Sequence, residues 1–158
     1  EREKMKIGIG CDHAGYEGPP PLYKPTIVEY LNNKGMKVVD YGTFSADSVD
    51  YPDFAKALCE GMLKGEIERG ILICGTGLGV SMSANRFRGI RATVCTTPLM
   101  AELARTHNNS NVLCLGRRIL SIGESLELID IWLNTPFSGE ERHQRRLDKL
   151  DKLGDFTC

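Results

Sequence analysis

The chain has 158 residues, with 20 basic against 21 acidic side chains and a formal net charge of −1. That length suits one domain built around one sizeable core. The balanced charge argues against a nucleic-acid or membrane-surface partner, and no apolar run approaches the length of a membrane span. The charged start, Glu1 to Lys4, carries no secretory signal pattern; residues 1–4 read as a leader or cloning remnant ahead of a single domain over 5–158.

In chain order, the first strand is predicted over 6–10, followed by "CDHAG" and then "GPPPLYKP" (18–25), an exposed turn stiffened by proline. An amphipathic helix follows over 24–34, with Gly35 at a C′-like position, and then a strand over 37–40. A helix over 53–65 leads into the apolar run 70–74, which ends in Cys74 and opens into a loop with Gly75, Gly77 and Gly79. A helix over 78–86, a strand over 90–95, a helix over 98–107 with Pro98 in its first turn, a strand over 111–115 and a helix over 122–133 complete the pattern. The strands are mostly continuously apolar, as strands covered on both faces are. The β-α alternation therefore predicts an α/β three-layer sandwich around a five-stranded, parallel, doubly wound sheet. The last helical segment, 139–150, is heavily charged; its apolar face is Leu147, Leu150 and later Leu153, as expected of a solvated terminal helix.

The six cysteines (Cys11, Cys59, Cys74, Cys95, Cys114 and Cys158) include no CxxC pair, so neither zinc nor a disulfide framework is expected. Reduced thiols fit a cytoplasmic protein. In open parallel sheets ligands bind beyond the carboxyl ends of the strands. That places Asp12 and His13 after the first strand and "CGTGLG" after the third as candidates. The loop lacks the Gly-Lys-Ser/Thr ending of a phosphate-binding Walker loop and the context of a dinucleotide fingerprint. Taken alone it reads equally as a tight turn or as an anion cradle of backbone N–H groups. Cys74 likewise reads as a buried strand-end residue or as a nucleophile or base, since thiols beside helix N-termini ionise more readily. His107 ends a helix at the opposite edge of the sheet, out of place for a site within one subunit but available to a neighbour's. Arg142 and Arg146, four apart on one helical face, suit a phosphate fork or a solvated basic patch paired with Glu140 and Glu141.

Taken together, "GCDHAGYE", "DYPDFA", "GILICGTGLGVSMSANRFRGIRA", "HNNSNVLCLGRRI" and "ERHQRRL" resemble, closely and in order, the type B ribose-5-phosphate isomerase family, whose wider group includes galactose-6-phosphate isomerase subunits. The resemblance implies a flavodoxin-like (Rossmann-like) fold with a C-terminal helix. It also implies a homodimer, often paired into a tetramer, with active sites shared between subunits. The implied reaction is aldose–ketose isomerisation of a sugar phosphate with neither metal nor cofactor. By position it assigns ring opening to His107 with Asp12, proton transfer between C2 and C1 to Cys74, and a proton relay between the two oxygens to Thr76. The amides of Gly75, Gly77 and Gly79 would hold the cis-enediolate. His13, Arg118, Arg142 and Arg146 would hold the phosphate, and Tyr51 and Asn108 would touch the sugar. One branch of the family uses a carboxylate six residues after the cysteine position; here that residue is Val80, which favours Cys74 as base.

Two departures stand out. About five residues, "GPPPL" (18–22), are inserted beside Asp12 and His13, and "EERH" replaces the family's "GGRH", so Glu140 and Glu141 could compete with phosphate. The expected reaction interconverts ribose 5-phosphate and ribulose 5-phosphate. Alternatives are a hexose 6-phosphate substrate (galactose or allose 6-phosphate), or a phosphosugar-binding module without catalysis.

Overall fold

The computed structural model describes residues 4–154; residues 1–3 of the expected leader, and the end of the chain with Cys158, lie outside the described residues. Five strands, β1 (Lys6–Cys11), β2 (Lys37–Asp40), β3 (Arg69–Cys74), β4 (Ala92–Val94) and β5 (Val112–Gly116), form one parallel sheet in the order β2-β1-β3-β5-β4. Compared with the 2-1-3-4-5 order of flavodoxin-like sheets, the last strand inserts between the third and fourth. The chain reverses direction across the sheet between β1 and β3, and the crevice at such a switch point is where ligands bind.

Among the described residues five helices cover the sheet, α1 (Tyr23–Asn33), α2 (Tyr51–Leu63), α3 (Leu78–Ala84), α4 (Pro98–Thr106) and α5 (Ile122–Asn134), and a sixth, α6 (Glu141–Asp151), follows them outside both cores. Side chains alternate along a strand, so each central strand feeds two cores. Ile71 and Ile73 of β3 and Leu113 and Leu115 of β5 pack with Ile27, Trp132 and Ala101 beneath α1, α5 and α4. Leu72, Cys74, Val112 and Cys114 pack with Leu58, Val80 and Ala84 beneath α2 and α3. Each such fully buried aliphatic contributes roughly 1.5–3 kcal/mol. Cys11 and Cys74, on neighbouring strands, therefore belong to opposite cores.

The helix ends explain themselves locally. Thr97 accepts the Met100 N–H at the start of α4, Ser121 and Glu124 form a capping box on α5, and Gly35 (φ +82°) turns the chain out of α1. The expected strand over 90–95 shortens to Ala92–Val94, because the Arg91 N–H is taken by the Asn111 side chain. The helix expected from residue 53 begins two residues earlier, with Pro52 in its first turn, which makes Tyr51 its first residue.

Candidate active site

The carboxyl edge of the sheet is assembled by backbone. Asp12 N–H bonds to Ile73 O (3.2 Å), tying the end of β1 to the end of β3. Asp12 then caps a short 3-10 turn (His13–Tyr16) by accepting the Ala14 N–H at 2.9 Å. His13 Nδ1 accepts the Val49 N–H at 3.3 Å, which leaves Nε2 for a ligand. Cys74 is only 5 % exposed, and its Sγ is turned to the loop: it accepts the Gly77 N–H at 3.1 Å. A negative charge on that sulfur would meet a donor already aimed at it. Gly77 sits in the left-handed region (φ +83°), where an L side chain would be strained. Thr76 Oγ1 accepts the Leu78 N–H (3.2 Å), so its own proton is free to be donated.

Two glycines make room for neighbours. The Tyr51 ring lies where a Gly79 Cβ would be, its Cζ 2.6 Å from that point, and Arg118 Nη1 lies 2.9 Å from the corresponding point on Gly75. The guanidinium expected to bind phosphate thus hangs over the loop. Its Nε and Nη2 are both engaged by the Glu17 carboxylate, and this bond holds Glu17 below the usual carboxylate range. Arg117 Nη2 reaches the carbonyls of Glu17 and Gly18, clamping the root of the proline-rich insertion to the end of β5.

A second group lies at the other edge. His107 and Asn108 follow α4 and, with His143, Arg146, Leu147 and Leu150, line a cavity of about 270 Å³. His107 stacks on His143 with ring centroids 4.2 Å apart. Buried Arg105 staples the turn that follows: Nε donates to Thr135 O (3.0 Å), and Nη1 to Asn109 Oδ1 (2.9 Å) and Ser110 O (2.6 Å). Burial lowers the Arg105 pKa to about 10. Arg142 Nη2 pairs with Glu140 at 3.0 Å, the competition expected from "EERH". The terminal helix is largely solvated, as predicted, but His143 and Leu147 are buried.

The six residues of β3 separate the edges by ~20 Å, at about 3.3 Å per residue. Cys74, Thr76, Gly75, Gly77, Gly79, Asp12, His13, Tyr51 and Arg118 gather at one edge; His107, Asn108 and Arg146 gather at the other.

The description "Ribose/Galactose Isomerase" belongs to a family model that matches residues 7–150. The chain belongs to that family. Among ribose/galactose isomerase relatives, ribose-5-phosphate isomerase B of Escherichia coli K12 is 42% identical, covering 94% of this chain and 95% of its own length. A ribose 5-phosphate isomerase structure from Thermotoga maritima matches with a TM-score of 0.89 at 47% identity, over 96% of this chain and 100% of that one. A Mycoplasma genitalium ribose-5-phosphate isomerase B solved with bound ribulose-5-phosphate matches with a TM-score of 0.87 at 38% identity, over 99% and 100% of the two chains.

Several residues that shape this isomerase-family site escaped the sequence reading. Gly116 does: a Cβ there would sit 2.6 Å from the backbone of Thr76, so the loop packs directly on the end of β5. Arg105 and Glu17 are others, and neither has a local signature beyond its charge. Fully buried Lys24 is a fourth. It bonds Asp40 (2.7 Å) and the Thr43 carbonyl, and so pins the segment that leads to Val49 and Tyr51.

Proposed function

We propose that the chain interconverts ribose 5-phosphate and ribulose 5-phosphate in sites shared between two copies. The observation that carries the shared site is the separation of the two groups. A pentose phosphate is far shorter than ~20 Å along the sheet, so one molecule cannot touch Cys74 and His107 of the same chain. A two-fold pair of copies brings each edge to the other's partner edge. Exposed Leu78 and Met82 on α3, and Leu99 and Met100 on α4, flank the edge strand β4 and supply an apolar surface for such pairing.

In this reading His107 of one copy gives a proton to the ring oxygen as its bond to C1 breaks, and Asp12 of the other copy takes the anomeric proton. The Cys74 thiolate removes the C2 proton and returns it to C1. Thr76 carries a proton between O2 and O1. The loop amides hold the enediolate charge, and in comparable oxyanion sites one such donor is worth roughly 10²–10³ in rate. His13 and Arg118 of one copy and Arg146 of the other hold the phosphate, joined by Arg142 once phosphate displaces Glu140 from it, while Tyr51 and Asn108 contact the sugar from opposite copies. A thiol is a suitable carbon-acid base because its ionisation can be tuned to working pH.

The test is complementation. Cys74→Ala and His107→Ala are each expected to lose turnover of ribose 5-phosphate while keeping the fold. Dissociated and remixed at random, the two inactive proteins should recover about a quarter of wild-type activity, because half the dimers are mixed and each mixed dimer holds one intact site. No recovery in demonstrated mixed dimers would refute the shared site, and a near-normal Cys74→Ala rate would refute the base. Higher kcat/KM on allose or galactose 6-phosphate than on ribose 5-phosphate would move the substrate to hexoses.

A further inference from the structure

His143 takes no part in the proposed reaction steps. It is 4 % exposed, sits in the first turn of α6 and lines the same cavity as His107. Its Nδ1 is 2.7 Å from Ser138 Oγ. Ser138 is itself fixed twice: its backbone N–H donates to Thr106 O at 3.1 Å, and its Oγ accepts the Glu140 N–H at 3.2 Å. The Ser138 hydroxyl can thus give its own proton to Nδ1, holding an uncharged ring in one orientation. Phe137 flanks that ring at 6.5 Å between centroids, and His107 covers it at 4.2 Å with the planes 32° apart. His107, by contrast, is exposed. An exposed imidazole at a helix end has few other contacts to hold it; the buried ring beneath it supplies a surface.

We propose that His143 is a positioning residue for ring opening: its anchored imidazole is the wall against which His107 is stacked and aimed. The proposal rests on the assignment of His107 to ring opening. Stacked aromatic pairs hold geometry as well as energy, and small misplacements of an acid–base group are costly in rate. The charge balance agrees with the geometry. The groups facing His143 are His107 from α4, Arg142 and Arg146 from α6, and Glu140 at its start. Burial first, then His107 and Arg142, lowers the His143 pKa against the opposing pull of Glu140. That direction favours the uncharged ring that the Ser138 hydroxyl holds in place.

The experiment uses a chemical asymmetry of the substrates. Ribose 5-phosphate is mostly cyclic and must be opened. Ribulose 5-phosphate carries its phosphate on the only hydroxyl that could close a furanose ring on its ketone, so it is open-chain. Deuterium wash-in at C1 of ribulose 5-phosphate therefore needs Cys74 and an assembled site but no ring opening. His143→Ala should lower kcat/KM for ribose 5-phosphate at least tenfold and change the C1 exchange rate less than twofold. His143→Phe, which keeps a ring for His107 to lie on, should recover most of the loss. His107→Ala, measured alongside, should show the same selective defect. Equal loss of both activities in His143→Ala, or no loss of either, overturns the proposal, as does a His143→Phe protein as impaired as the alanine variant. If His143→Ala is selective but His107→Ala loses both activities equally, the role of His107 itself is wrong and the proposal falls with it.

Discussion

The two edges of the sheet are built by different means. At the carboxyl edge, strand ends and glycines set the geometry: Asp12 is tied to β3, Gly77 N–H to Cys74, and the loop rests on Gly116. Its chemistry is held by backbone that the sheet itself orders. At the amino edge, His107 and Asn108 hang from the end of one helix and are held by side chains, namely Arg105 beneath and His143 beside. The first half is preorganised by the fold. The second depends on a few buried polar groups, and so should be lost separately and more easily.

The largest expected effect comes from disturbing the backbone half. Gly116→Ala places a methyl 2.6 Å from the Thr76 backbone, which cannot rotate away as a side chain could. The loop must lift, and misplaced oxyanion donors cost roughly 10²–10³ in rate. The expected result is a 100-fold or greater drop in kcat with a folded protein and a modestly lowered Tm. C1 exchange of ribulose 5-phosphate should fall in parallel, because this edge carries Cys74, the proposed base.

Arg105→Met probes the other half. It strips partners from the carbonyls of Ser110 and Thr135, at about 1–3 kcal/mol for buried acceptors left unpaired, readable by denaturant unfolding. It also frees the turn through Asn109, whose φ of +44° is held by the same guanidinium. Turnover of ribose 5-phosphate should fall about tenfold, with C1 exchange far less affected. Parallel loss of both activities would erase the distinction between the edges.

The legible part of this molecule was the part that repeats locally. Apolar runs buried on both faces announce the central strands β1, β3 and β5, shorter β-branched runs announce the edge strands β2 and β4, and Pro98 and Gly35 mark helix ends for steric reasons any sequence shares. The place of β5 between β3 and β4 has no such marker, because strand order is decided by which surfaces pack and not by any residue in the strand. The glycine loop and the histidine at the wrong edge could be read from topology. What could not be read were partners distant in sequence. Arg118 looked like an open phosphate ligand until Glu17, some hundred residues away, was found on it. Arg142 and Arg146 share a helical face in any helix, but only the structure turns Arg142 back to Glu140.

That Glu17–Arg118 pair gives the smallest and most pointed prediction. Its two side chains are 29% and 58% exposed, so water and salt screen it and its contribution to stability is slight. Its effect on binding is more direct, because the carboxylate occupies the Nε–Nη2 edge that a phosphate would use. Glu17→Gln should leave Tm unchanged and lower the KM for ribose 5-phosphate by no more than about fivefold. The gain should shrink as salt rises, and Arg118→Ala should abolish it. The pH dependence has a defined sign. The guanidinium bond lowers the Glu17 pKa, so the pair is fully present above the ordinary carboxylate value and is lost as pH falls through the lowered one. Between pH 8 and pH 5, therefore, wild-type KM should not approach that of the variant. A variant with raised KM would mean that Glu17 aims Arg118 at the phosphate, and the carboxyl edge would then depend on a side-chain strut as the amino edge does.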